Sequence, residues 1–238
     1  MISVVGSWEL LTLKPDDKQR PIAVCIPHQG HVSMEWAMGF KKLQLPEHHG
    51  ILLNKNFPIS ISRDNMVQSA LDQNASDIIF IDSDTVPPPD GITRLVSYNT
   101  DIISGLYYAK KHYIKDGLVL PAAWLRVKDD SEDNQYAHVD PKANKGIVQV
   151  DVVGMGFCRI KVDTIFKKIK RPWFVWGKDG WVDGKPLPPS QQISEDFWLC
   201  ERIKNELGLP IYVDMSIKCA HCFDGVITEE GKVELSRF

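Results

Sequence analysis

Asp82 and Asp84 stand one residue apart at the end of the apolar run Ile78-Ile79-Phe80-Ile81, and Pro87-Pro88-Pro89 then stops the chain. Four β-branched or aromatic residues in a row have the length and content of a buried strand in an α/β sheet. In such sheets ligands bind beyond the carboxyl ends of the strands, where these two aspartates would emerge. Two carboxylates so close repel each other, and burying either without a partner is costly. A divalent cation, Mn²⁺ or Mg²⁺, is the simplest partner, because hard oxygen ligands suit both. The plainer alternative is an Asp-rich turn after a strand.

Three further groups carry possible chemistry. Ser194 can cap a helix over 194–207 that opens with Glu195 and Asp196. Asp196, Leu199, Ile203 and Leu207 fall on one face at spacings of three and four. If the leucines and isoleucine face the core, Asp196 points inward and Glu195 lies about 100° round from it. Acidic residues in a first turn also simply favour the helix dipole. His221 lies between Cys219 and Cys222, whose spacing suits zinc, but no second Cys/His pair completes a tetrahedral site. Arg63 is expected at the start of a helix after a strand, where a guanidinium suits a phosphate or stands at a solvated helix end.

The elements that must position these residues alternate. Strands are expected at 22–26, within 50–62, at 78–81 and at 101–104, separated by helices at 33–43, 63–74 and 90–97. Strand–helix alternation implies βαβ units and a parallel core. Residues 128–146 are charged and aperiodic, an exposed loop or hairpin tip. Ile147 to Val153 is expected as a strand, Gly154-Met155-Gly156-Phe157 as a turn, Asp163 to Lys168 as a helix and Ile211 to Val213 as a last strand. The Gly- and Pro-rich stretch 177–192 reads as a lid in which Trp181 offers a flat apolar face, or as a surface loop with an incidental tryptophan.

At 238 residues, 43% apolar and 25% charged, the composition is that of an ordinary globular protein with a sizeable core. A net charge of −3 leaves no basic footprint, so nucleic acid is not the expected partner. No apolar run approaches the ~20 residues of a transmembrane helix, and the N-terminus lacks a signal-peptide pattern. Five scattered cysteines fit reduced thiols, and a cytoplasmic location is the expectation.

The ordered set of Pro27, Ser62-Arg63-Asp64-Asn65, Phe80-Ile81-Asp82-Ser83-Asp84, Val153-Gly154-Met155-Gly156-Phe157, Ser194-Glu195-Asp196-Phe197-Trp198 and Val213-Asp214 to His221 resembles the GT-A-fold glycosyltransferases, close to the family 2-like group of bacteria, archaea and their viruses. The resemblance spans residues 21–223, with 1–20 as an N-terminal extension and 224–238 as a C-terminal tail. It implies a single α/β domain of Rossmann-like GT-A type, with a mostly parallel central sheet flanked by helices. It also implies transfer of a sugar from a UDP- or GDP-sugar to a glycan, lipid or protein hydroxyl. By the same resemblance Asp82 lies near ribose and metal, while Asp84 and His221 hold the metal. Pro27 and Gln29 lie by the base, Arg63 and Asn65 near base or phosphate, and Ser83 in the donor-binding loop. Gly154 and Gly156 line the sugar or acceptor pocket, and Asp196 with Glu195 supplies the base of an inverting reaction. The chain departs from the family in having His28-Gln29-Gly30 where many members carry Tyr-Asn, and in lacking an aspartate at the end of the second strand. Asp82-Ser83-Asp84-Thr85-Val86 also satisfies the pattern of haloacid-dehalogenase phosphatases, with Asp82 as nucleophile, although that motif normally opens its domain. A non-catalytic carbohydrate-binding protein of the same fold is the remaining alternative.

Overall fold

Alternation along the strands sorts the core into two layers. In strand β1 (Ile22–His28), Ile22, Val24 and Ile26 face one side of the sheet while Ala23 and Cys25 face the other. Strand β3 (Asp77–Ile81) repeats the division, with Ile79 and Ile81 on the first side and Ile78 and Phe80 on the second. Both faces are apolar, so both must be covered. Helices α1 (Met34–Lys41) and α3 (Gly91–Ser97) cover one through Trp36, Ile92 and Leu95. Helices α2 (Ile59–Asp72) and α4 (Glu195–Arg202) cover the other through Met66, Val67, Ala70, Leu199 and Cys200. The computed structural model that shows this describes residues 20–109, 118–127, 135–176 and 194–223, with short stretches at 114–115, 181–182, 185–186, 225–228, 231 and 233–235.

The remaining strands of the central sheet are β2 (His49–Lys55), β4 (Ile102–Leu106), β5 (Ile147–Val150), β6 (Phe157–Lys161) and β7 (Ile211–Lys218). The seven strands lie in the order β5-β7-β4-β6-β3-β1-β2. Five run in one direction, and β5 and β6 run against them, because β6 pairs antiparallel with both β3 and β4 and β5 pairs antiparallel with β7. The sheet is therefore mostly parallel by direction but mixed by pairing. Because β5 and β6 run in the same direction, the Gly154–Gly156 segment between them does not itself reverse the chain.

Local boundaries differ from expectation in ways that matter for the site. Helix α2 begins at Ile59, with Pro58 as its cap, so Arg63 lies in its second turn and not at its start. The predicted strand 147–153 is two strands, β5 in the main sheet and Val152–Val153 in a three-stranded antiparallel sheet with Ala123–Val127 and Gln135–His138. Within the expected loop 128–146, Gln135–His138 is thus a strand, and 128–134 lie outside the described residues. The expected helix at 163–168 is a π-helical turn, Val162–Phe166, and the helix at 194–207 is α4 followed by a π-helical turn to Leu207. Of the expected lid, the structure describes only the ladder of Trp181–Val182 on Lys185–Pro186; the side chain of Trp181 and the rest of the lid lie outside the described residues. Strands Gly225–Ile227 and Val233–Leu235, beyond the expected domain end, continue a four-stranded sheet through Ala220–Phe223 to Thr85–Val86. All five cysteines are free and buried.

Candidate functional site

The site lies at the carboxyl edge of β3 and is organised by a buried arginine. Arg63 projects from α2 with 2% of its side chain exposed. Its Nη2 donates to both carboxylate oxygens of Asp82, at 2.8 and 3.0 Å, and its Nη1 donates to Asp196 Oδ1 at 2.8 Å and to Glu195 Oε1. One guanidinium thus serves three carboxylates from two segments, the loop after β3 and the first turn of α4. Three negative charges against one positive cannot all persist with so little water. Burial, reinforced by the charge of Asp196, pushes the Glu195 carboxyl up to about 8. Burial also raises Asp196, against the pull of Arg63. The cluster therefore holds a proton at neutral pH, and the more enclosed Glu195 is its natural seat: the Glu195 side chain is 4% exposed and that of Asp196 17%. The helical stripe, which predicted Asp196 as the more inward of the two, is overridden by the reach of Glu195 to Arg63.

Backbone contacts lock the loop that carries Asp82. Its N–H donates to the Gly156 carbonyl, and its own carbonyl accepts from Trp36 Nε1 at 2.8 Å and from the Thr85 N–H. Asp84 then emerges on the other side of the turn, with Ser83 half-buried between them. Thr85 pairs across the small sheet with His221, which carries the imidazole to Asp84, with Nε2 to Oδ1 at 3.3 Å. His221 Nδ1 lies 2.7 Å from the Tyr108 carbonyl, which can only accept, so Nδ1 bears the proton. The Nε2 lone pair then faces a carboxylate oxygen. Two acceptors facing each other call for a proton or a cation between them.

The expected metal trio is therefore only half assembled: Asp84 and His221 meet, whereas Asp82 turns to Arg63. Among the described residues no three His, Cys, Asp or Glu side chains form a group that could hold a metal ion. The pair still fits a hard divalent cation, which characteristically takes one or two protein ligands and leaves its other positions to phosphate oxygens and water.

The expected donor-binding residues divide. Pro27 is buried at the end of β1, beside Asn54 of β2, and Gln29 is exposed just beyond it. Asn65 Oδ1 accepts from Arg171 at 3.1 Å, on the flank where Asp64 binds the Trp173 N–H, so it serves the 171–174 segment. Gly154 and Gly156 share one reason for being glycine. A Cβ on Gly154 would lie 1.9 Å from the Tyr107 hydroxyl, and one on Gly156 would lie 2.8 Å from its Cζ. The Gly156 N–H donates to that hydroxyl at 3.0 Å, and the Tyr107 ring meets His221 edge-on at 5.5 Å between centroids. Burial, with the charges of Asp196 and Asp82, holds the phenol well above its usual range, so it keeps its proton. Tyr107 and Trp36 are site residues that sequence reasoning missed; the glycine pair two residues apart was the signal for a bulky neighbour.

No protein-family model matches the chain, and no curated protein does. Among solved structures, the crystal structure of A197 from STIV is similar over 92% of this chain and 95% of its own, at 19% identity and a TM-score of 0.59. At that identity the likeness shows the fold alone. A nucleoside-diphosphate-sugar pyrophosphorylase from Vibrio cholerae RC9 aligns over 81% of this chain and 72% of its own, at 12% identity and a TM-score of 0.35. No helix among the described residues is long and apolar enough to cross a membrane.

Proposed function

We propose that the protein is a metal-dependent glycosyltransferase of GT-A type that moves a sugar from a UDP- or GDP-sugar to an acceptor hydroxyl with inversion. The observation that carries this reading is the convergence of Asp82, Glu195 and Asp196 on Arg63, directly beside the Asp84–His221 pair. It puts a cluster of carboxylates and a carboxylate–imidazole pair at one sheet edge, which supports this reading. An acceptor hydroxyl is a weak nucleophile at neutral pH and must lose its proton as it attacks the anomeric carbon. Asp196, the more open of the two helix carboxylates, takes that proton, a contribution of typically ~10²–10⁴-fold. Glu195, protonated and enclosed, and Arg63 fix its direction. In this reading Arg63 positions the acids, because the donors of its two terminal nitrogens are directed at carboxylates, and phosphate contact falls to the cation. Bound by Asp84 and His221, Mn²⁺ or Mg²⁺ would neutralise charge on the departing diphosphate. Pro27 and Gln29 border the nucleotide base. Both oxygens of Asp82 accept from Arg63, which disfavours Asp82 as the free nucleophile of a phosphatase.

The test separates binding from chemistry. Asp84→Ala should lose Mn²⁺-dependent binding of a nucleoside diphosphate in calorimetry. Asp196→Asn should keep that binding and lose transfer. Parent-rate turnover by Asp196→Asn, or a retained anomeric configuration in product NMR, overturns the assignment.

A further inference from the structure

We propose that the outer face of α1 is a docking surface for an anionic phospholipid bilayer. The inner face of this helix is fully committed. Trp36 stacks on Phe40 with ring centroids 5.1 Å apart and planes 9° from parallel. Trp36 also holds the Asp82 carbonyl. Gly39 allows the helix to lie directly on the strand after Asp84, since a Cβ there would be 2.3 Å from Val86 Cγ1. The helix is thus a plate clamped over the Asp82–Val86 loop, and its outward side has no such duty.

That outward side is apolar where a solvated helix would be polar. Met34 is 73% exposed, Met38 47% and Val32, in the approach to the helix, 39%. Met34 and Met38 are four residues apart and so adjoin on one face. One turn further on the same face stand Lys41 and Lys42, both exposed. Lys55, also exposed, reaches the loop that leads into α1: its Cε lies 2.7 Å from where a Cβ on Gly30 would be. Glu35 is the one acidic residue of the helix, and His31 stands exposed in the approach. Three lysines against one glutamate make a local positive rim on a chain whose net charge is −3.

Long apolar side chains ringed by lysines suit a bilayer surface, where the thioethers enter the acyl boundary and the ammonium groups meet lipid phosphates. A second copy of the chain suits it less. A two-fold contact would set this positive rim against itself, and three side chains fall far short of the ~800 Å² per partner of a stable interface. The proposal does not depend on the glycosyltransfer reading. If both hold, the Asp82–Asp84 edge works close to the lipid surface.

The test is sedimentation of the full chain with phosphatidylcholine vesicles, with and without phosphatidylserine, at low and high salt. The parent should sediment with the anionic vesicles only, and less at high salt. Met34→Glu combined with Met38→Glu should lower partition at least about tenfold. Lys41→Glu combined with Lys42→Glu should lower it by about twenty-fold or more, near fivefold for each lysine lost. All four side chains are exposed, so unchanged thermal midpoints should accompany these losses. A parent that ignores anionic vesicles, or variants that sediment as the parent does, overturns the proposal. So does concentration-dependent dimerisation that the methionine variant abolishes in the absence of vesicle binding.

Discussion

Replacing Arg63 with Met is the sharpest probe of the site's construction. The side chain is apolar and fills much of the volume but removes the guanidinium that Asp82, Glu195 and Asp196 share. Breaking a buried ion pair by deleting one partner costs about 3–5 kcal/mol, because the charges left behind have lost both water and counterion. For a chain of this size each kcal/mol moves the thermal midpoint by about 2–4 °C, so the expected loss is at least about 6 °C. The carboxylates can relieve the strain only by taking up protons. The gap between parent and variant should therefore be largest above neutral pH and shrink as the pH falls into the carboxylate range. Asp196→Asn in the Arg63→Met background should restore part of the loss by removing one of the stranded charges, which a double-mutant cycle measures. Differential scanning calorimetry at pH 5 and pH 8 reads all of this. A midpoint within about 2 °C of the parent at both pH values would show that Arg63 is a surface-like arginine carrying no structural charge balance, and the electrostatic account of the cluster would fail.

Gly154→Ala should destabilise the protein by about 1–3 kcal/mol in urea unfolding, the range for overpacking, because the added methyl meets the Tyr107 hydroxyl. Tyr107→Phe in the same chain should recover part of that loss, and equal stability of the glycine and alanine forms would refute the packing argument. The Glu195 carboxyl, raised to about 8 in the fold, binds a proton that the unfolded chain releases near its ordinary value of 4.5. Its contribution to stability is complete below that value and is lost as pH rises through about 8, at up to about 1.4 kcal/mol per pH unit. Urea midpoints across this range should fall for the parent and fall less steeply for Glu195→Gln, whereas parallel profiles would place the proton elsewhere.

What the chain revealed in advance was what is local. The β-branched run before Asp82 and the alternation in β1 identify strands because side-chain period and burial are properties of consecutive residues. The first strand, the third strand and the helix bearing Glu195 and Asp196 are accordingly where periodicity puts them. Helix α2 was misplaced because Ile59-Ser60-Ile61-Ser62 alternates as a strand does, while Pro58 in fact opens a helix there. That four-residue error moved Arg63 from an apparent anion site at a helix end into the second turn, facing the sheet edge. Its partners lie on α4, far along the chain, and no local pattern reports such a pairing. The reversed direction of β5 and β6 was likewise invisible, since it rests on pairing with strands distant in the sequence.

The Asp-x-Asp motif shows how tertiary context divides what the sequence presents as one unit. Read alone, its two carboxylates share a cation. In the fold they leave the turn in different directions, because Trp36 and Gly156 pin the Asp82 backbone from both sides while the Thr85–His221 pairing draws the following residues into a separate small sheet. Asp82 thereby joins the arginine-centred acid cluster, and Asp84 joins the His221 imidazole. Anything that neutralises the charge of Asp82, a cation included, weakens its claim on Arg63 and leaves more of the guanidinium for Asp196 and Glu195. Two carboxylates one residue apart in the sequence therefore end in separate charge environments, one on Arg63 and one on His221.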